Sequence, residues 1–131
     1  MWNAFWIFVG GGLGSLARWG ASGFIARHWG EHFPVGTLVV NITGSLLIGF
    51  LATLTGPDGR WLAPPSLRIF LMLGVLGGYT TFSSFSLQTL TLAQDGQWFR
   101  AALIAVLSLV LCLAAVWLGH TLAVLLNSAR E

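Results

Sequence analysis

The stretch Gly77-Gly78-Tyr79-Thr80-Thr81-Phe82-Ser83-Ser84-Phe85-Ser86 lies inside the third of four apolar runs and decides how the chain is read. It sets a glycine pair, five serine and threonine hydroxyls and two benzyl rings where a bilayer-spanning helix would carry hydrocarbon. Lipid offers no water to an unpaired backbone group, so irregular or hydroxyl-rich chain persists at membrane depth only against protein or a polar cavity. Glycine costs about 1 kcal/mol per residue in a helix, and the neighbouring threonines are stiff at χ1. The pattern predicts a helix broken near Gly77–Thr80, with backbone carbonyls freed at a depth where unwound helices coordinate cations.

Outward from this stretch the chain is almost all hydrocarbon. Of 131 residues 56% are hydrophobic and only 8% charged, and the mean hydropathy is +0.82, a composition of polytopic membrane proteins. Apolar runs at about 4–26, 37–55, 67–93 and 99–126 each meet the roughly 20 residues that a bilayer requires. The expectation is an all-α membrane protein, a single four-span transmembrane domain over residues 1–131 without a linker or soluble module. The first run carries Arg18 and has no basic residue before it, so it reads as a retained span and not a cleaved signal. Cys112 stands alone, which excludes an intrachain disulfide and a thiolate metal cluster. A net charge of +2 gives no sign of nucleic acid.

The six basic residues are all arginines, and they bear on orientation. Four spans would put Arg60, Arg68 and Arg130 on one face and Arg18, Arg27 and Arg100 on the other, leaving no excess for the positive-inside rule to act on. The expectation is dual topology, with copies inserted both ways round. Small residues four apart, as in Gly10 and Gly14, Gly11 and Ser15, Ser45 and Gly49, and Gly74 and Gly78, allow close helix approach, within one subunit or between two. Four thin spans cannot enclose an aqueous path alone, so pairing with an inverted copy is the natural assembly. Most of the seven tryptophans fall near span ends, where their rings sit at headgroup level.

The four carboxylates, Glu31, Asp58, Asp95 and Glu131, all lie in loops or at the tail. Cation pathways and proton-coupled carriers need an intramembrane acid to pair with their cargo; none is present, and the one charge inside a span is Arg18. Arg18 reads either as an interfacial side chain snorkelling to water or as a vestibule cation gathering anions. Asn41, early in the second span, offers two N–H donors and one acceptor, enough to bond a neighbouring helix or to replace water around an anion. Phe82 and Phe85 stand three apart and so share a helix face. Ring edges are electropositive; the pair either solvates a small anion weakly or packs as ordinary hydrocarbon. Thr81, Ser83, Ser84 and Ser86 surround it with hydroxyl donors, which strengthen against a charged acceptor. On the fourth span Ile104, Ser108 and Cys112 fall at i, i+4 and i+8, with Ser108 either extending a polar track or bonding its own preceding turn. His120 reads as interfacial.

Three segments, Gly11-Gly12-Leu13-Gly14-Ser15-Leu16-Ala17-Arg18-Trp19, Gly36-Thr37-Leu38-Val39-Val40-Asn41 with Gly44-Ser45 and Gly49, and the stretch from Gly77 to Ser86, together resemble the CrcB/Fluc fluoride channel family over nearly the whole chain. The resemblance implies an antiparallel, dual-topology homodimer in the cell inner membrane, with two pores that passively export cytoplasmic fluoride. It implies that Phe82 and Phe85 face the ion, that Asn41 is a donor at the pore mouth, and that Ser83, Ser84 and Ser108 form a hydroxyl track. Arg18 would serve the vestibule, and the carbonyls of Gly77 and Thr80 from both copies would hold a structural sodium ion at the dimer centre. The chain departs from the family pattern at Gln88, where relatives often carry Glu, at Trp19 for a usual Tyr, and along Ile104, Ser108 and Cys112, a line less polar than in some members.

Two other readings compete. A small four-span multidrug exporter would need an embedded carboxylate, which this chain lacks, and an assembly subunit would use its hydroxyls only to join helices. Nowhere do a nucleophile, a base and an orienting group cluster as an enzyme would require.

Overall fold

The computed structural model describes residues 2–30 and 32–129; the expectations that involve Glu31, Arg130 and Glu131 lie outside them. Helix dominates, in four rods. The first is α1 (Trp2–Trp29) and the second α2 (Val35–Leu54). The third runs in pieces, α3 (Pro65–Arg68), a π-helical segment (Ile69–Leu76), α4 (Gly77–Tyr79) and α5 (Phe82–Gln94), and the fourth is α6 (Trp98–Ser128). Among the described residues there is no strand.

Three rods, Val35–Leu54, Pro65–Gln94 and Trp98–Ser128, are long and apolar enough to cross a membrane. The 28 residues of α1 reach about 42 Å at 1.5 Å per residue, but Ser15, Arg18, Ser22 and Arg27 dilute its hydrocarbon below the level of the other three.

The rods pair by backbone approach, and glycines make the approach possible. Rod α1 lies on the π-helical segment and α4, where a Cβ on Gly10 would stand 2.8 Å from the Phe70 carbonyl oxygen and one on Gly14 would strike that of Val75. Gly74 and Gly78 answer from the other side, against Gly10 and Gly11. The same device joins α2 to α6, with Gly49 against the Val116 carbonyl and Gly119 against that of Leu46. The small-residue pairs at Gly10 and Gly14 and at Gly74 and Gly78 therefore serve packing within one copy. Leu38, Leu92, Ala101 and Ile104 form a core between α2, α5 and α6, with Phe85 half-buried against them.

Helix ends are closed by local chemistry. Gly96, at φ 75°, ends α5 in a Schellman turn in which the Gln97 N–H donates to the Leu92 carbonyl at 2.8 Å. Arg68 donates to the carbonyl and hydroxyl of Thr55 at the end of α2. The Arg60 guanidinium Nη1 donates to the Leu126 carbonyl at 3.5 Å in the last turn of α6, and the Arg60 backbone N–H to Asn127 Oδ1 at 2.9 Å. Both arginines thus meet the negative end of a helix.

Candidate functional site

The third rod breaks at Thr80 and Thr81, whose ψ angles of 156° and 114° are extended. The break falls at the C-terminal end of the expected stretch near Gly77–Thr80, since Gly77–Tyr79 stays helical and Thr80 is extended. Gly78 is used for contact with α1, while β-branched threonines take readily to extended backbone once their polar groups find partners.

Those partners come from three directions. Asn41 of α2 clamps Thr81 at both ends, its Nδ2 donating to the Thr81 carbonyl at 2.9 Å and its Oδ1 accepting the Thr81 N–H at 2.7 Å. From α1, Ser15 Oγ donates to the Gly78 carbonyl and Arg18 Nη1 to that of Thr80, each at 3.4 Å. Within the rod, Thr81 Oγ1 accepts the Ser84 N–H at 3.1 Å as N-cap of α5. Asn41 therefore spends one N–H and its carbonyl on the backbone, which leaves one N–H free.

Beside the break is a cavity of about 520 Å³, lined among others by Asn41, Thr80, Thr81, Phe82, Phe85 and Ser108. All its described lining residues are uncharged. The Phe82 and Phe85 centroids lie 5.2 Å apart at an interplanar angle of 58°. Their surroundings differ: Phe85 rests on the core, whereas Phe82 is 78% exposed. Ser108 is 9% exposed and its Oγ has no hydrogen-bond partner among the described residues, so its hydroxyl does not bond the preceding turn. A buried hydroxyl without a partner costs free energy; Ser108 lines the cavity, with its Oγ enclosed within the wall.

Other expected members of the site fall elsewhere. Ser83 and Ser84 bond Thr81 Oγ1 at 3.3 and 3.0 Å and belong to the cap, outside the cavity lining. Arg18 reaches the break and not the cavity wall. Ile104 does not continue the line of Ser108 and Cys112 to the cavity; at 1% exposure it is core. His120 Nδ1 meets Thr53 Oγ1 at 2.8 Å. Thr81, as cap and as the residue clamped by Asn41, escaped the sequence reading, although a threonine immediately before an apolar residue at a helix start is a capping signal.

Gly77 and Thr80 both line the cavity. Because the Thr81 N–H turns to Asn41, the Gly77 carbonyl lacks the amide that would close an α-helical turn. That carbonyl and the second lone pair of Thr80 are hard, neutral oxygen donors, which fits a sodium ion. One chain offers two such donors, half of a small coordination shell.

Apolar rods, one of them interrupted and clamped beside a neutral cavity, define a multi-pass membrane protein. The family model described as CrcB-like protein, Camphor Resistance (CrcB), matches residues 5–120, and the chain belongs to that family. It is 62% identical over 125 residues, 95% of both chains, to the fluoride-specific ion channel FluC of Opitutus terrae. It is 62% identical over 121 residues to the protein of that name from Rhodospirillum rubrum, covering 92% of this chain and 94% of the relative. With that of Methylocella silvestris it shares 50% identity over 125 residues, 95% of both chains.

Proposed function

We propose that this chain is a fluoride-selective ion channel and not an enzyme, in which fluoride leaves the cytoplasm passively along the cavity beside the break. The observation that carries this reading is the unpartnered Ser108 hydroxyl on an uncharged wall that also holds Asn41 and the phenylalanine pair, in a chain 62% identical to channels named for fluoride.

Fluoride is small and strongly hydrated, so a path must replace lost water with close donors. The free Asn41 N–H and the Ser108 hydroxyl can approach such an ion more closely than they can chloride, and ring edges of Phe82 and Phe85 add weak positive potential. Weak, repeated sites let the ion leave, which conduction requires. Arg18 adds positive potential near the break, and Ser83 and Ser84, between the two rings in sequence, would supply a hydroxyl track at the entrance.

All four rods, α1 included, are taken to cross the inner membrane as one domain. Phe82 lines the cavity and is yet largely exposed, which supports an inverted second copy as the missing wall, with two pores per antiparallel dimer. Where the copies meet, Gly77 and Thr80 carbonyls of both would hold the sodium ion, which supplies fixed positive charge and joins the breaks.

The test is fluoride efflux from proteoliposomes, run against chloride. Fluoride leaving far faster than chloride supports the reading, and vesicles that retain fluoride as protein-free ones do would end it. Phe82→Ile and Phe85→Ile should each cut efflux while the protein still purifies in one assembly state; unchanged efflux removes the rings from the path.

A further inference from the structure

The last helical turn before the break treats neighbouring carbonyls differently. The Leu76 carbonyl accepts both the Thr80 N–H and the Thr80 hydroxyl, each at 3.0 Å, and the Gly78 carbonyl accepts Ser15 Oγ at 3.4 Å. Between them the Gly77 carbonyl receives no donor among the described residues, because the Thr81 N–H that an α-helix would send back to it goes to Asn41 Oδ1 at 2.7 Å. Asn41 Nδ2 holds the Thr81 carbonyl at 2.9 Å, and this second bond fixes the amide plane so that Oδ1 stays on the N–H.

We infer that Asn41 is a positioning residue for the cation site: by holding the Thr81 N–H it keeps the Gly77 carbonyl free to bind a sodium ion. The inference rests on the sodium reading given above. A membrane-embedded N–H has no water to turn to and must find an acceptor within the protein. Without the Asn41 oxygen, the acceptor that the chain itself offers is the Gly77 carbonyl four residues back, and a bond to it would carry the helix on through the break. A carbonyl that accepts an amide hydrogen has one lone pair left and sets that hydrogen's positive charge beside the ion, so it is a poorer ligand. Thr80, the second donor, owes the direction of its carbonyl to the extended ψ of 156°, which a closed turn would abolish. Both oxygens therefore depend on one side chain of α2 whose own two bonds go to Thr81.

The experiment melts the purified full-length protein in detergent, in sodium chloride and in choline chloride of equal ionic strength. An ion bound by the folded state alone raises the melting temperature as its concentration grows, so the sodium-dependent rise reports on the site, and a weaker fold does not by itself erase it. The wild type should show the rise. Asn41→Ala and the closer-sized Asn41→Leu should lose most of it, whereas Asn41→Asp, which keeps an oxygen for the Thr81 N–H, should retain it. Gly49→Ala, a destabilising change where α2 meets α6, should retain it as well. A full rise in Asn41→Ala or Asn41→Leu would overturn the inference, as would its loss in Asn41→Asp or in Gly49→Ala. A wild type without the rise would instead overturn the sodium reading, and the inference with it, while its fluoride efflux from proteoliposomes tests the channel reading apart from both.

Discussion

At Ser108, stability and conduction pull in opposite directions. Its Oγ is buried without a partner, so Ser108→Ala should leave thermal stability unchanged or raise it by about 1 kcal/mol, while fluoride efflux falls. A melt in detergent beside an efflux trace checks both; a stability loss with full efflux would make the hydroxyl structural. Asn41 behaves otherwise, because it serves the backbone first. Asn41→Ala orphans the Thr81 N–H and carbonyl and should cost about 1–3 kcal/mol, lowering melting temperature and efflux together. The phenylalanines divide again by surroundings. Phe85→Ala empties part of the core and should cost about 2 kcal/mol or more, whereas Phe82→Ala, at a ring 78% exposed, should cost far less, so that its lost efflux reads on conduction. Asn41, Phe82, Phe85 and Ser108 were all legible as candidates from residue type and spacing. The pair of hydrogen bonds between Asn41 and Thr81 was not, since it joins residues 40 positions apart whose meeting depends on how α2 lies on the break.

At the scale of elements, backbone contact sets the tolerance for substitution. Gly14→Ala or Gly49→Ala drives a methyl into a carbonyl of the facing helix and should cost about 1–3 kcal/mol. Gly12→Ala meets open space and should be neutral or stabilising by up to about 1 kcal/mol from helix propensity, unless a second copy covers it. Melting temperatures of the three variants decide between these outcomes. The glycine spacing announced close packing, but it could not say which pairs face each other. Nor did glycine content locate the break, because Gly78 serves the contact with α1 and the extended residues are the threonines after it.

For the whole molecule, the proposed inverted pair makes orientation a functional variable. Lysines added to the loop between α5 and α6 should bias insertion one way and abolish efflux, and co-expression with a copy biased the other way should restore it; full efflux from copies of a single orientation would rule out the antiparallel assembly. Composition and period alone determined the helical class, the rod boundaries to within a few residues and the neutrality of the polar stretch. Hydropathy and helix-breaking chemistry are local properties, written residue by residue. Tertiary structure alone decided that Ser108 lines a cavity while Ile104 enters the core, that Ser83 and Ser84 bond the Thr81 cap, and that Arg18 reaches the break. Each of these depends on the rotation and depth of one rod against another, which backbone contacts at glycines fix and which no single stretch of sequence encodes.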